Sequence, residues 1–120
     1  MDWPEFKGQI KLVILRHPGR ENAITGGEIA LGFGLKDDRK VRLAIDELID
    51  DGFPVCSATD TDKLKGWKPG YFFPRTLEEA RECYGKWRHR GLDVCVRARK
   101  MLKAARLYHE GARQLELLAV

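Results

Sequence analysis

Residues 24–53 read ITGGEIALGFGLKDDRKVRLAIDELIDDGF, and they spell two helices joined by a tight turn. Thr25-x-x-Glu28 is a capping-box pattern, in which a hydroxyl and a carboxylate satisfy amides that a helix start leaves open. Ile24 stands before it as a hydrophobic staple. Ile29, Ala30 and Phe33 then form one apolar face, which predicts a short helix over 26–33. Gly34 closes that helix in the left-handed conformation. Asp37-Asp38 give the next helix an acidic start that suits its macrodipole. Val41, Ile45, Leu48 and Ile49 recur at helical spacing and predict a helix over 37–51, terminated by Gly52. Its opposite face shows Arg39, Arg42, Leu43, Asp46 and Asp50.

Upstream, Phe6, Ile10, Val13, Ile14 and His17 fit a helix over 5–16 with Pro4 at its start, although 10–15 also reads as a buried strand. His17 precedes Pro18 and helps to end that helix, and residues 17–22 form a loop. Downstream, 54–59 is a short strand by composition and 71–73 a second. Together they make a hairpin whose tip is the polar segment 60–70. Thr76-x-x-Glu79 is another capping box, and from it one long helix is expected. Its stripe runs Leu77, Ala80, Tyr84, Trp87, Gly91, Val94, Ala98, Met101, Ala105, Tyr108, Ala112, Leu115, at alternating spacings of three and four. Gly91 is the weakest point of the stripe and the place for a kink or a division.

The chain has 120 residues, which suits one small domain or a small domain with one long appended element. The expected division is a domain over 1–75 and a helical segment over 76–120. No apolar run approaches a membrane span, and MDWPEFKGQ lacks the basic-then-apolar pattern of an export signal. Three cysteines (Cys56, Cys83, Cys95) without C-x-x-C fit neither a disulfide framework nor a zinc module, so a reducing cytoplasm is expected. Cys83 and Cys95 read as small half-buried residues beside the stripe. The three histidines make no metal set, Gly32-x-Gly34 lacks the context of a dinucleotide loop, and no nucleophile–base pair stands out. No catalytic residue, metal or cofactor is therefore expected. Charge is unevenly placed. Residues 1–75 hold 12 basic and 12 acidic side chains, whereas 80–106 hold 9 basic ones against only Glu82 and Asp93. Such a block is either a footprint for a polyanion or a solvated helix face.

The order of these elements resembles a winged helix-turn-helix domain. The residues that carry the likeness are Ile24-Thr25-x-x-Glu28-Ile29-Ala30, Val41-Arg42-x-x-Ile45-x-x-Leu48, Gly52-Phe53-Pro54-Val55-Cys56-Ser57 and Gly70-Tyr71. The sequence looks like the winged domains of bacterial transcription regulators. It is especially similar to small prophage-encoded helix-turn-helix proteins with an added C-terminal helix. The likeness covers about 20–75 well and 76–120 loosely. One departure is the spacing from Ala30 to Val41, eleven residues instead of the usual ten. It falls at the turn and affects which side chains lead into a groove.

The resemblance implies a mainly α fold with a small β-hairpin, and duplex DNA as partner. The third helix would enter the major groove, with Lys36, Arg39, Lys40 and Arg42 as candidate contacts. Lys63, Lys65 and Lys68 on the hairpin tip would hold phosphates, with Trp67 among them. Against this, 37–51 holds three basic and six acidic residues, so the alternative is a winged domain that binds protein, acting as an assembly adaptor with an acidic partner. Asp38 has a further reading, as a residue that orients Arg39 or Arg42. The long helix either folds back or pairs with a second copy. Pairing through Tyr84, Trp87, Val94, Met101 and Tyr108, or an antiparallel hairpin broken near Gly91, is the expectation. An antiparallel arrangement is favoured because it brings acidic ends nearer to the basic middle. The expected role is a transcription regulator or a DNA-replication or packaging adaptor, in a bacterial or phage-infected cell.

Overall fold

The computed structural model describes residues 1–59 and 64–119, with side chains through residue 114. Helix α1 spans Trp3–Leu15, α2 Gly26–Gly32, α3 Arg39–Asp50 and α4 Leu77–Ala119; strands β1 (Cys56–Ala58) and β2 (Gly70–Phe72) form a two-stranded antiparallel sheet. The fold is mainly helical with a small hairpin and a long C-terminal helix.

Each end of these elements has a local cause. Asp2 caps α1 by accepting the Glu5 amide at 2.9 Å. That starts the helix two residues earlier than expected, with Pro4 in the first turn where no amide donor is needed. Phe6, Ile10 and Ile14 are buried at i, i+4 and i+8, which resolves the strand alternative in favour of helix. His17 lies beyond the helix, and its Nδ1 sits 2.9 Å from the Asn22 carbonyl oxygen, bracing the loop. Thr25 accepts the Glu28 amide at 3.0 Å, as its capping pattern requires. At the other end of α2 the Gly34 amide donates to Leu31 and the Leu35 amide to Ala30. This is a Schellman closure, and it needs Gly34 at φ +70°.

Helix α3 begins at Arg39, two residues later than the acidic-start reading. Asp38 has φ −95° and ψ 12° and makes no side-chain cap, and the Asp37 carboxylate instead accepts the Arg39 amide at 3.1 Å. The two aspartates therefore lie outside the helix and beside its N-terminus. Val41, Ala44, Ile45 and Leu48 face inward. A second Schellman closure at Gly52, with Phe53 donating to Leu48 at 2.9 Å, turns the chain into the hairpin.

Strand β1 is shorter than the expected 54–59, β2 keeps its expected length but begins one residue earlier, and they pair Cys56 with Phe72, Ser57 with Tyr71 and Ala58 with Gly70. Ile24 adds a single rung on the other side of β2. Its amide donates to Tyr71 at 2.9 Å and its carbonyl accepts from Tyr71 at 2.7 Å. Gly70 is required there, since a Cβ at this position would lie 2.5 Å from the Ile24 carbonyl oxygen. The hairpin is thus stitched to the entrance of α2. Beneath it, α1, α2 and α3 enclose one core of Phe6, Ile10, Ile14, Ile29, Val41, Ile45 and Leu48, closed by Val55.

Helix α4 is capped by Thr76, which accepts the Glu79 amide at 3.1 Å, and it runs unbroken through Gly91. The chain divides into a compact unit Met1–Cys83 and a second unit beginning at Tyr84, so the compact part extends past the expected limit at 75. The reason lies in the first turns of α4. Glu79 accepts the Arg20 and Arg75 amides, and Cys83 is buried in hydrogen-bonding contact with Cys56. Cys95, expected to be half-buried, is exposed. Leu115 and Lys63 lie outside the described side chains and residues, respectively.

Candidate nucleic-acid interface

The outward face of α3 carries Arg39, Arg42, Leu43, Asp46 and Asp50, all exposed. Neither arginine is alone. The Arg39 Nε lies 3.6 Å from an Asp37 carboxylate oxygen, and the Arg42 Nε 3.3 Å from one of Asp38. Both aspartates sit at the helix entrance, so each pair holds its guanidinium near the N-terminal end. Arg39 remains 83% exposed along its side chain, and a pair in that much solvent opens at little cost. The Asp38 reading is thus resolved toward Arg42, with Asp37 taking Arg39.

Tyr71 belongs to this surface, although the sequence marked it only as a strand residue. A Cβ on Gly26 would meet both the Asp38 side chain at 2.9 Å and the Tyr71 ring at 3.4 Å. Those two groups therefore share the ground in front of α2. Burial raises the pKa of the Tyr71 hydroxyl, and the Asp38 carboxylate adds to the shift, while Arg42 opposes it. A protonated phenol here can both donate and accept a hydrogen bond. The signal in the sequence was the Gly70-Tyr71 dipeptide, whose glycine admits Ile24 and so sets the register of the tyrosine.

The hairpin lysines part company. Lys65 places its Nζ 4.5 Å from the centre of the Trp67 ring, and the buried Arg20 approaches the same ring at 5.3 Å. Arg20 also donates from Nη1 to the Lys68 carbonyl at 2.7 Å. Trp67 therefore packs against cations rather than reaching outward, and Lys65 is the exposed one of them. Lys68 turns the other way, making a 2.5 Å ion pair with Glu28 of α2. That bond is the main reason the Glu28 carboxyl titrates below its ordinary value. Lys68 therefore acts first as a clasp between hairpin and α2.

Lys40, expected beside Arg39 and Arg42, lies elsewhere. It lines a cavity of about 210 Å³ with Trp3, Phe6, Phe33 and Leu35, where α1 begins and the α2–α3 turn passes. The cause is helical geometry, since Lys40 and Arg42 stand about 100° to either side of the buried Val41 and so fall on opposite flanks of α3. Lys36 is exposed in the turn. On the far end of α3, Asp51 hydrogen-bonds Lys7 at 2.9 Å and holds its ammonium pKa above the ordinary value, and Glu47 accepts from the Trp3 indole. Those acidic residues are thus used in joining α1 to α3.

In the second unit, Tyr84, Val94, Met101 and Tyr108 are exposed and Trp87 is half-buried. At about 100° per residue, Arg88, Arg99, Arg106 and Arg113 fall along one line on the flank of the apolar stripe. Lys86, Arg90 and Arg97 fall on the opposite flank. In the sequence the block is only a net charge, and the continuous helix sets it out as two basic edges.

Among the described residues, no group of three His, Cys, Asp or Glu side chains could hold a metal ion, and no helix is long and apolar enough to cross a membrane. The Cys56 thiol is held protonated by its hydrogen bond with Cys83 and by burial, which suits packing rather than nucleophilic attack. No family model, curated protein or solved structure matches the chain.

Proposed function

We propose that residues 1–83 are a winged helix-turn-helix unit that binds duplex DNA, with α3 as the helix entering the major groove and the hairpin as the wing. The observation that carries this reading is the surface formed by Arg39, Arg42 and Tyr71. It lies at the N-terminal end of α3 beside a hairpin stitched to α2. Arginines held by a carboxylate on one side keep their remaining N–H donors directed outward, as recognition of guanine requires. Lys65 and Lys36 supply phosphate contacts, and the basic edges of α4 add sequence-independent attraction. The protein acts without catalysis, as a regulator or a replication or packaging adaptor of phage or prophage type, in the cytoplasm. Two copies are joined through α4.

The test is a gel shift or anisotropy titration with random duplex DNA at two salt concentrations. With about four to six phosphates neutralised, the slope of log K against log salt should be roughly −4 to −5. A second reading has its own support. Asp46 and Asp50 share the α3 face with the arginines, and the apolar cavity beside Lys40 offers a protein-binding notch. Absence of DNA binding even at low salt would leave this reading, an assembly adaptor that binds a protein partner.

A further inference from the structure

The apolar stripe of α4 has an internal order that selects its partner. Trp87, Val94, Met101 and Tyr108 stand seven residues apart, and Gly91, Ala98, Ala105 and Ala112 stand seven apart four positions later. Between Trp87 and Ala112 one core row of the heptad is therefore large and the other small, whereas nearer the start of the helix Leu77 and Tyr84 stand in the small row and Ala80 in the large one. Because α4 is continuous through Gly91, both rows stay on one face over their whole length. Val94, Met101 and Tyr108 are 64–74% exposed, so the stripe from Val94 onward has nothing of its own unit to cover it, whereas Trp87 is already half-buried.

We infer that this face is covered by a second copy of the chain in an antiparallel, size-complementary seam, in which each large residue packs against a small one. The inference rests on the reading that α4 joins two copies and fixes how. In a parallel pair, each layer sets a residue against its own copy. Layers of Ala against Ala would then alternate with Trp against Trp and Tyr against Tyr, leaving voids beside collisions. In an antiparallel pair, each layer takes one residue from either row. Facing large with small fills such layers evenly.

The register follows from the same criterion. With the two-fold axis between residues 99 and 100, Tyr108 meets Gly91 of the second copy, Met101 meets Ala98, Val94 meets Ala105, and Trp87 meets Ala112. Trp87 and Tyr108 thus meet Ala112 and Gly91, while Tyr84 falls opposite Leu115, which lies outside the described side chains. A shift of one heptad in one direction sets Tyr84 against Tyr108. A shift in the other leaves Trp87 without a partner among the described side chains. In the chosen register Arg97 flanks Ala104, and Arg90 flanks Gly111, of the second copy, so no arginine faces an arginine across the seam. The line Arg88, Arg99, Arg106, Arg113 stays outside it. The basic middles of the two helices are nevertheless brought side by side, which reverses the expectation that acidic ends would lie against them. Salt should therefore tighten the pairing while it loosens DNA binding.

Disulfide capture tests the arrangement, in full-length protein carrying Cys95→Ser. Val94→Cys and Ala105→Cys are made separately, since each changes the seam little. Mixed, the two proteins should cross-link to each other under oxidised glutathione, which takes up the two electrons as each thiol pair is joined. Each alone should remain uncross-linked, because its own copies lie about 16 Å apart along the axis. Efficient cross-linking of Ala105→Cys with itself would overturn the antiparallel seam in favour of a parallel one. A dimer with no cross-link in the mixture would overturn the register. Sedimentation of the wild type comes first, and a monomer at every concentration would overturn pairing altogether, whatever the DNA titration gives.

Discussion

The two units of this chain use the same apolar periodicity to opposite ends. In α1 the stripe Phe6, Ile10, Ile14 is sunk against α3, and Ile10 and Ile14 are fully buried. In α4 a longer stripe, just as regular, stands in solvent, with Val94 and Met101 both 64% exposed. The difference is in the neighbours. Residues 1–83 bring Schellman turns at Gly34 and Gly52, a hairpin, and the Trp3–Glu47 and Lys7–Asp51 bonds that tie α1 to the end of α3. Beyond Cys83 no turn intervenes, so the helix has nothing of its own unit to fold against. Periodicity reveals which face of a helix is apolar. The turns decide whether the chain itself can cover it.

The largest effects should come from exchanging these roles. Ile14→Ala opens a cavity in the core and should cost about 2–5 kcal/mol of unfolding free energy, read from the urea midpoint. Val94→Asp with Met101→Asp should leave that midpoint unchanged at high dilution and yet weaken association by several kcal/mol, by placing charges in an apolar seam. Light scattering reads the second effect. If the double variant unfolded the 1–83 unit, the separation of the two regions would be broken.

Next in size is the stitch between hairpin and helices. Gly70→Ala would drive a Cβ against the Ile24 carbonyl at a backbone φ of +150°, where a side chain is strained regardless of space. A cost of about 1–3 kcal/mol is expected. The amides of Ile24 and Tyr71 should lose hydrogen-exchange protection together. Loss at Tyr71 alone would mean that Ile24 is held by α2 rather than by the sheet.

The arginine pairs should matter to DNA and little to stability. Arg42→Ala should cost about 1–3 kcal/mol on a specific site and much less on random duplex, if Arg42 reads a base edge. Its partner gives the sharper comparison. Asp38→Asn frees the guanidinium and removes a charge that repels phosphate, so general affinity should rise while site preference falls. Equal losses on both DNAs for Arg42→Ala would move the recognition surface off α3.

The order of elements was legible because their ends are local. Thr25-x-x-Glu28, Gly34, Gly52 and Thr76-x-x-Glu79 each act within a few residues, and all four appear as caps or turns in the structure. What could not be read depended on distant neighbours. Asp37 and Asp38 looked like an acidic helix start, but each turns to an arginine and stays outside the helix. Lys68 looked like a phosphate ligand because Glu28, forty residues away, is its partner only after folding. Lys40 was grouped with Arg39 and Arg42 by proximity in sequence, which a helix does not respect. Tyr71 reads in sequence only as a strand residue, because its place in front of α2 beside Asp38 follows from the Ile24 rung. Cys83 and Cys95, alike in sequence, separate into buried and exposed at the point where the compact unit ends.

The smallest effect concerns the Lys68–Glu28 clasp. Both side chains are about half exposed, at 51% and 46%, so solvent screens the pair, and its loss in Lys68→Ala should cost less than about 1 kcal/mol. Its pH dependence has a fixed sign. The Glu28 pKa is lowered in the folded state, chiefly by the hydrogen bond from Lys68. The contribution is therefore complete above the unfolded carboxyl pKa and fades as pH falls through the lower folded value. The wild type and Lys68→Ala should differ in urea midpoint at pH 7, converge as the pH falls below the lowered carboxyl value, and converge again at pH 7 in molar salt. Binding to DNA adds a second comparison. A lysine already engaged by a carboxylate contributes little to phosphate, so Lys68→Ala should weaken DNA binding less than Lys65→Ala does. The reverse order would show that Lys68 leaves Glu28 when DNA arrives, making the clasp a latch opened by binding.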